Sequence, residues 1–267
     1  MSEISTANGI RKIALITAGG SGIGRTIADS LVEDGYHVFV IDADQTAVDN
    51  FKQTHGIQSA ELCDVADPDC VDRVMALFKE RYGRINLLVN NAGIAGPTAA
   101  IEDISVSDWQ RTVDVDLNSA FYVTRHIVPL MKEQREGVIL NISSNAGQHG
   151  FPLRSPYTAS KWGLIGLSKT WAMELGPWGI RVNALCPGSV SGPRIDGVIN
   201  RDAQERGMTP EEIRHVYERQ SSLRTFVNSE DIAAMVGFLA GAGGRHISGQ
   251  AIAIDGHTEG LSNWLDN

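Results

Sequence analysis

The stretch SPYTASKWG, residues 155–163, places a tyrosine hydroxyl four residues before a lysine. If this stretch is helical, four residues make about one turn, so Tyr157 and Lys161 share a face. The two side chains are then either an ordinary exposed pair or a phenol whose proton the lysine helps to move. A tyrosine in water has a pKa of about 10, and a nearby ammonium group favours the phenolate. The rest of the chain has to decide between these alternatives.

The elements that would position this pair follow a regular order. Short apolar runs alternate with longer amphipathic stretches, and the predicted strands are residues 11–17, 37–42, 85–90, 137–143, 180–185 and 251–255. These runs are apolar on both faces, as in a parallel sheet that helices cover on each side. Asp67-Pro68 and Ser229-Glu230 have the pattern of helix starts, and Gly35 and Gly83 that of helix stops. The alternation predicts an α/β fold, a Rossmann-type doubly wound parallel sheet in a single domain over residues 1–267.

A glycine-rich turn follows the first predicted strand, in TAGGSGIGRTIADSL at residues 17–31. Gly20, Gly22 and Gly24 let the backbone turn tightly and approach a ligand without an intervening Cβ, and Ser21 and Ile23 lie between them. The helix that follows directs its first N–H groups, and the positive end of its dipole, toward the same place. The turn is therefore predicted to bind a pyrophosphate.

Asp42 ends the second predicted strand, eighteen positions after Gly24. A carboxylate there accepts hydrogen bonds from the adenosine ribose hydroxyls and repels a 2′-phosphate. Neither Ser21 nor Ala43 is basic, so no obvious group would hold that extra phosphate. We therefore expect NAD rather than NADP, with Asp64 near the adenine amino group.

Residues 187–228 depart from the strand–helix rhythm. The segment begins with PGSVSGPRIDG, which has a loop-like composition, and continues into a polar helical stretch, TPEEIRHVYERQ. It follows the carboxyl end of a strand, where sheets of this kind bind ligands. It is predicted to be a substrate lid, with a plain surface insertion as the alternative.

The chain resembles the short-chain dehydrogenase/reductase family over nearly its full length. The matching motifs are TAGGSGIG near the N-terminus, NNAG at 90–93, the serines of NISS at 143–144, YTASK at 157–161 and CPG at 186–188. Five motifs in the right order, each at a predicted strand end or on the expected helix, make the resemblance specific. It implies a nicotinamide-dependent enzyme that interconverts an alcohol and a carbonyl, and a homotetramer.

The resemblance also implies roles for individual residues. Tyr157 is the general base that takes the hydroxyl proton, and Lys161 supports the phenolate and binds the nicotinamide ribose. Ser144, thirteen residues before Tyr157, hydrogen-bonds the substrate oxygen, whereas Ser143 faces the other way on its strand. The predicted cofactor site further includes Val65, Asn91, Ala92, Gly93, Pro187, Gly188 and Val190.

Three positions depart from the family pattern. Ala18 replaces a glycine, so the turn is expected to have a right-handed or extended conformation there. Asp116 occupies the place of a catalytic asparagine; Asn118 is about 200° further round a helix and cannot simply replace it. We expect Asp116 to take part in the proton relay, with a rerouted water chain as the alternative. Gly192 stands where a threonine often binds the carboxamide.

The candidate substrate contacts are polar: Asn145, His149, Arg154 and Arg194, with Gln148 and Phe151 beside them. Such a set suits a hydroxylated or anionic small molecule better than a steroid. For Arg154 the alternative is a side chain that simply faces solvent.

The composition of the chain limits the kinds of partner that it can bind. The chain has 267 residues, a formal charge of −9 and no basic cluster, which argues against nucleic-acid binding. No signal peptide, membrane span or metal-ligand spacing is visible, and the three cysteines are expected to be packed, reduced thiols; a cytoplasmic location is predicted. Trp264 and Leu265 are apolar for a tail and are expected to pack on the lid or on another subunit.

These observations predict an NAD-dependent oxidoreductase acting on the secondary hydroxyl of a small polar molecule, such as a polyol or a hydroxy acid. Two alternatives stay open. One is a reductase of the same family acting on a carrier-bound 3-oxo chain. The other is an NAD(H)-sensing binding protein that has lost its chemistry through the changes at Asp116 and Gly192.

Overall fold

The structure is a computed structural model that describes residues 5–6, 9–10, 12–57, 59–258 and 260. Over these residues the strands are β1 Ser5–Thr6, β2 Gly9–Ile10, β3 Ile13–Thr17, β4 His37–Asp42, β5 Ala60–Leu62, β6 Leu87–Asn90, β7 Gly137–Ile142, β8 Ile180–Pro187 and β9 Ala251–Ile254. The helices are α1 Gly22–Glu33, α2 Gln45–His55, α3 Pro68–Tyr82, α4 Val106–Val113, α5 Ser119–Gln134, α6 Ser155–Leu175, α7 Pro193–Arg206, α8 Pro210–Glu218 and α9 Ser229–Ala240. The predicted tail contacts of Trp264 and Leu265 lie outside the described residues.

Seven of these strands form one parallel sheet in the order β5-β4-β3-β6-β7-β8-β9. The strand order reverses between β3 and β6: the chain adds β4 and β5 on one side of β3 and then β6 to β9 on its other side. The strands β1 and β2 form a separate antiparallel pair. This is the Rossmann-type arrangement that the sequence predicts. In such sheets a crevice opens at the carboxyl ends of the strands on either side of the reversal.

Alternating strand residues supply the two layers of the core. On β3, Leu15 packs toward α3 and α5, whereas Ile16 packs toward α1 and α9. The same alternation places Phe39 and Val40 of β4 in opposite layers. Because each fully buried aliphatic or aromatic side chain contributes about 1.5–3 kcal/mol, both faces of the sheet are strongly fixed to their helices. The strand ends that carry polar residues are thereby held in place.

The helix boundaries follow the predicted start and stop signals. Asp67 caps α3 by accepting hydrogen bonds from the N–H groups of Asp69 (3.0 Å) and Cys70 (3.2 Å). Gly83 ends α3 with a φ of 61°, and Gly35 follows α1 with a φ of 84°. The N-cap of α9 is Asn228, one residue before the predicted start.

The expectation for Ala18 is wrong, because its φ is 49°, in the left-handed region. Its carbonyl oxygen accepts a hydrogen bond from Nδ2 of Asn91 at 3.1 Å and lies directly beside Gly24. These contacts fix the direction of the Ala18 carbonyl where the chain turns from β3 into α1. The backbone of Ala18 adopts the left-handed φ because of this direction. An L-residue in this region costs about 1–2 kcal/mol.

We therefore expect Ala18→Gly to raise the free energy of unfolding by about 1 kcal/mol, since glycine adopts this φ without a Cβ penalty. The midpoint temperature of thermal unfolding should rise by roughly 2–4 °C. Ala76→Gly, at an exposed position of α3, is the control and should lower stability by about 1 kcal/mol. A loss of stability in both variants would contradict a left-handed Ala18.

The segment between Gly192 and Phe226 is more regular than predicted. The part expected to be loop-like already becomes helical at Pro193, where α7 begins, and α8 follows. Side chains from both helices and from Phe226 form a small apolar cluster separate from the main core: Ile199, Ala203, Ile213, Tyr217 and Phe226. The substrate lid therefore stays a prediction, now with two packed helices as its body.

Candidate active site

The glycine turn joins the end of β3 to α1 and meets the end of β4. The N–H of Gly20 donates to Oδ2 of Asp42 at 2.9 Å. A Cβ on Gly20 would lie 2.7 Å from that of Ala47, so the turn tolerates no side chain there. Ser21 is the N-cap of α1 without a side-chain hydrogen bond, and the first turn carries no acidic residue. The first N–H groups of α1 are thus left for an external anion.

The neighbouring strand end braces this turn. Oγ1 of Thr17 accepts hydrogen bonds from the N–H groups of Asn91 (3.0 Å) and Ala92 (2.9 Å). Nδ2 of Asn91 donates to the carbonyls of Thr17 (3.0 Å) and Ala18 (3.1 Å). The side chain predicted to bind cofactor therefore holds the ends of β3 and β6 together. The residue that sequence reasoning missed here is Thr17, since a threonine at a strand end has no distinctive signal.

Asp42 lies at the end of β4, as predicted, with 8% of its surface exposed. Its Oδ1 accepts a hydrogen bond from the N–H of Asp44 at 3.0 Å, and its Oδ2 accepts the bond from Gly20. Each carboxylate oxygen has two acceptor sites, so both retain one for a ribose hydroxyl. The carboxylate thus lies where it can both hold the turn and contact a ligand bound to it.

Asp64 has a partner that the sequence analysis did not foresee. Its Oδ2 forms an ion pair with Nη1 of Arg111 at 2.8 Å, and its Oδ1 accepts a hydrogen bond from the N–H of Ala66 at 3.0 Å. Arg111 belongs to α4, 47 residues further along the chain. An adenine amino group at Asp64 would share this carboxylate with the guanidinium. Val65 beside it is buried.

Tyr157 and Lys161 lie on α6, and Ser144 follows the end of β7. Lys161 is buried, its Nζ donates to the carbonyl of Ile142 at 3.1 Å, and it lies 5.6 Å from the centroid of the Tyr157 ring. Oγ of Ser144 donates to Oδ1 of Asn145 at 3.1 Å, whereas Oγ of Ser143 donates to the carbonyl of Lys161 at 2.8 Å. Ser143 therefore braces α6, whereas Oγ of Ser144 also accepts a hydrogen bond from the N–H of Ala146 at 3.1 Å and caps the turn that follows.

Asp116 lies in a π-helical turn, Asp114–Asn118, between α4 and α5. The α-helical spacing assumed from the sequence does not hold there, but Asn118 is still outside the site, because its Nδ2 donates to Oδ1 of Asp114 at 2.7 Å. Oδ1 of Asp116 accepts a hydrogen bond from the N–H of Ile94 at 2.7 Å. Its Oδ2 is buried without a hydrogen-bond partner.

Burial raises the pKa of Asp116 above its ordinary value, although the charges of Lys161, Arg194 and Arg154 and the hydrogen bond from Ile94 act the other way. The site is compact at this point. A Cβ on Gly93 would lie 3.1 Å from Nζ of Lys161 and 3.5 Å from Oδ1 of Asp116. A carboxyl group with a raised pKa can keep its proton and donate through Oδ2, as the amide of an asparagine would.

This environment predicts a pH-dependent effect of Asp116→Asn on stability. Because the folded-state pKa is raised, Asp116 makes its full contribution to the free energy of unfolding below its unfolded pKa of about 3.9. This stabilising contribution is lost as the pH rises through the folded-state pKa. Asparagine cannot ionise, so the variant should be more stable than the wild type at about pH 8, with a difference that shrinks toward about pH 4. Thermal unfolding across this range measures it, with exposed Asp103→Asn as the control. A difference that does not vary with pH would contradict the raised pKa.

The substrate-side candidates differ in what they contact. Asn145 is buried, and its Nδ2 donates to Oγ1 of Thr258 at 3.2 Å. The carbonyl of His149 accepts a bond from Nε1 of Trp162 at 3.4 Å. Arg154 does not simply face solvent, because its guanidinium lies 5.3 Å from the centroid of the Tyr157 ring. Arg194 is an exposed residue in the first turn of α7.

Gly188 and Val190, which are predicted to bind the cofactor, the latter at its nicotinamide carboxamide, follow β8. The N–H of Gly188 donates to the carbonyl of Ile254 at 2.9 Å, which ties this end to β9. Val190 forms a parallel bridge with Val227 through the carbonyl of Ser189 and the N–H of Ser191. In such a bridge the peptide groups of Val190 itself point to the other side. This direction suits the predicted main-chain contact of Val190 with a carboxamide.

The three cysteines are buried free thiols, as expected. Burial raises the pKa of Cys186 to about 11, so its thiolate is scarce at neutral pH. In the described part of the chain, no helix has the length and apolar character needed to cross a bilayer.

Comparison with known proteins places the chain in a family. The family model described as short chain dehydrogenase matches residues 12–203. D-beta-hydroxybutyrate dehydrogenase of Rhizobium meliloti (strain 1021) is 34% identical over 255 residues, which cover 92% of this chain and 97% of that protein. The chain therefore belongs to the short-chain dehydrogenase family.

Two solved structures extend the likeness to the whole fold. NAD+-bound xylitol dehydrogenase matches with a TM-score of 0.85 and 27% identity, over 91% of this chain and 97% of that one. A variant of actinorhodin polyketide ketoreductase with NADPH matches with a TM-score of 0.86 and 32% identity, over 95% and 98%. The protein is thus an oxidoreductase that interconverts a secondary alcohol and a ketone with a nicotinamide cofactor.

Proposed function

We propose that the protein is an NAD-dependent dehydrogenase acting on a small polar secondary alcohol, with Ser144, Tyr157, Lys161 and Asp116 as its catalytic set. The observation that carries the proposal is the position of Tyr157. The centroid of its ring lies 5.6 Å from Nζ of Lys161 and 5.3 Å from the guanidinium carbon of Arg154. The glycine turn, with its uncapped helix N-terminus, follows β3 of the same sheet.

The residues present fit a nicotinamide dinucleotide. The first N–H groups of α1 suit the pyrophosphate, Asp42 the adenosine ribose, Lys161 the nicotinamide ribose and the main chain of Val190 the carboxamide. Bound NAD supplies the hydride acceptor for the reaction.

The chemistry of the chain's own groups then follows. The phenolate oxygen of Tyr157 takes the proton of the substrate hydroxyl as the hydride leaves the carbinol carbon, and a ketone is formed. Ser144 exchanges its hydrogen bond to Oδ1 of Asn145 for one to the same substrate oxygen, while Lys161 stabilises the phenolate by its charge. The proton then leaves Tyr157 by way of Lys161 and the carboxyl group of Asp116, whose pKa burial raises. In the reductive direction each transfer is reversed.

Asp42 supports NAD over NADP, because its buried carboxylate repels a 2′-phosphate. We expect Asp42→Asn to narrow the ratio of the NADP and NAD dissociation constants by about tenfold or more, since a hydrogen bond to a charged group contributes roughly 1.5–3 kcal/mol. Fluorescence titration with NADH and NADPH measures the corresponding ratio for the reduced cofactors, in which the same change is expected. Asp49→Asn, on the exposed side of α2, should leave the ratio unchanged. Equal affinities in the wild type would refute the proposed preference.

A reductase of a carrier-bound 3-oxo chain is the second candidate, because the chain is 32% identical to a polyketide ketoreductase with NADPH. The same titration separates the candidates, since this alternative predicts tighter binding of NADPH than of NADH.

We further infer a homotetramer. Phe121 on α5 and Trp162 and Met173 on α6 are exposed to 50%, 51% and 82% of their surface. Large apolar side chains on adjacent helices are typical of a subunit interface. Light scattering should give four times the chain mass of 28.8 kDa, and a monomer would contradict the inference.

A further inference from the structure

Arg154 has an unusual setting for a guanidinium. It is the N-cap residue of α6, three positions before Tyr157, and it also lies 5.5 Å from the ring centroid of Phe151. Its Nη2 donates to the carbonyl of Ala95 at 2.7 Å and its Nη1 to Oγ1 of Thr98 at 3.2 Å. Its Nε is buried without a hydrogen-bond partner. A buried donor left unpaired is costly, so this geometry favours an acceptor that is supplied from outside.

The charge of Arg154 is also uncompensated. Across the described residues, no carboxylate lies within ion-pair distance of Arg154 or Arg194. The pKa of Arg154 is lowered first by burial, and the positive charge of Arg194 acts in the same direction. Asp116 is the acidic residue on which both charges act, and its burial favours the neutral form. Two guanidinium groups thus act on each other by charge, without an ion-pair partner, in a chain whose formal charge is −9.

Bracing alone explains only part of this arrangement. The bonds to Ala95 and Thr98 hold the loop after β6 against the start of α6, which is a structural role. They use neither Nε of Arg154 nor any atom of Arg194. A carboxylate bound at Nε of Arg154 would supply the missing acceptor, and its charge would also attract Arg194, because guanidinium and carboxylate match in geometry and charge.

We propose that Arg154 and Arg194 form an anion subsite that selects a substrate with a carboxylate a few carbon atoms from the reacting carbinol. This assignment rests on the proposed function, since it places the carbinol at Tyr157. Arg154 acts from the fixed start of α6 and Arg194 from the first turn of α7. The segment predicted to be a lid thus contributes one of the two charges, so binding of the acid and closure of the segment favour each other.

Butyrate and butyramide test this subsite without turnover, because they share a shape and differ in charge. Calorimetric titration uses the protein saturated with NAD, whose binding is measured first. We expect butyrate to bind the wild type at least about tenfold more tightly than butyramide. Arg154→Gln and Arg194→Gln should each remove most of this difference. Arg73→Gln, an exposed residue of α3, removes the same charge elsewhere and should keep it.

The outcomes separate the two proposals. If NAD binds but butyrate binds no more tightly than butyramide, the anion subsite is refuted and the proposed function stands. If NAD does not bind, both fail. The exposed side chain of Arg194 is not needed for folding, so Arg194→Gln should fold normally. A preference for butyrate that survives in both Arg194→Gln and Arg154→Gln would show that other residues bind the anion, and it would overturn the subsite.

Discussion

Tyr157→Phe is expected to lower kcat by a factor of about 10³ or more, because general acid–base catalysis by one positioned group contributes roughly 10²–10⁴. The variant removes one oxygen atom and keeps the ring near Lys161 and Arg154. The fold and the cofactor site should therefore remain intact. The measurement is single-turnover formation of reduced nicotinamide in the forward direction.

NADH affinity is the control for this variant, since Lys161, Asp42 and the glycine turn are unchanged. It should stay within about twofold of the wild-type value. A Tyr157→Phe variant that keeps most of its kcat would contradict the role of the phenol. A variant that loses NADH binding as well would assign Tyr157 to binding rather than to proton transfer.

Gly24→Ala is expected to have the largest effect on stability. A Cβ at this position would lie 2.1 Å from the carbonyl oxygen of Ala18 and 2.6 Å from Nδ2 of Asn91. Both atoms take part in the bracing between β3 and β6, so neither can move aside cheaply. We expect a loss of about 3 kcal/mol or more in the free energy of unfolding, together with the loss of NADH binding.

Gly22→Ala in the same turn is the matched control for stability. A Cβ on Gly22 would have no atom within 4 Å, although the φ of 53° disfavours a side chain. It should cost only about 1–2 kcal/mol, the conformational penalty alone. Chemical denaturation of the two variants gives the comparison. Similar losses in both would show that backbone conformation, rather than the contact with Ala18, dominates at Gly24.

The parts of the fold set by local pattern could be predicted from the sequence. His37–Asp42 is the predicted strand to the residue, and Gly83 ends α3 as expected, because a buried strand and a glycine stop depend on neighbouring residues. The backbone of Ala18 could not be predicted in the same way. Its φ depends on contacts with Asn91 and Gly24, and residue type alone favours the other regions.

The residues of the candidate site also differ in whether the sequence could predict them. Tyr157, Lys161 and Ser144 could be located by motif, since they carry a fixed spacing. The ion pair between Asp64 and Arg111 joins residues 47 positions apart, and no local pattern indicates it. The setting of Arg154 stayed open from the sequence for the same reason, because Ala95 and Thr98 come from a distant loop.

The most direct test of hydride transfer uses deuterium at the carbinol carbon. The protein is incubated with NAD and one of three alcohols so labelled: 3-hydroxybutyrate, xylitol or 2-butanol. Mass spectrometry of the reduced cofactor should show one deuterium per molecule with at least one of them, and the most product with the hydroxy acid. Unlabelled reduced cofactor, or none from any of the three while NADH still binds, would contradict the proposed dehydrogenase.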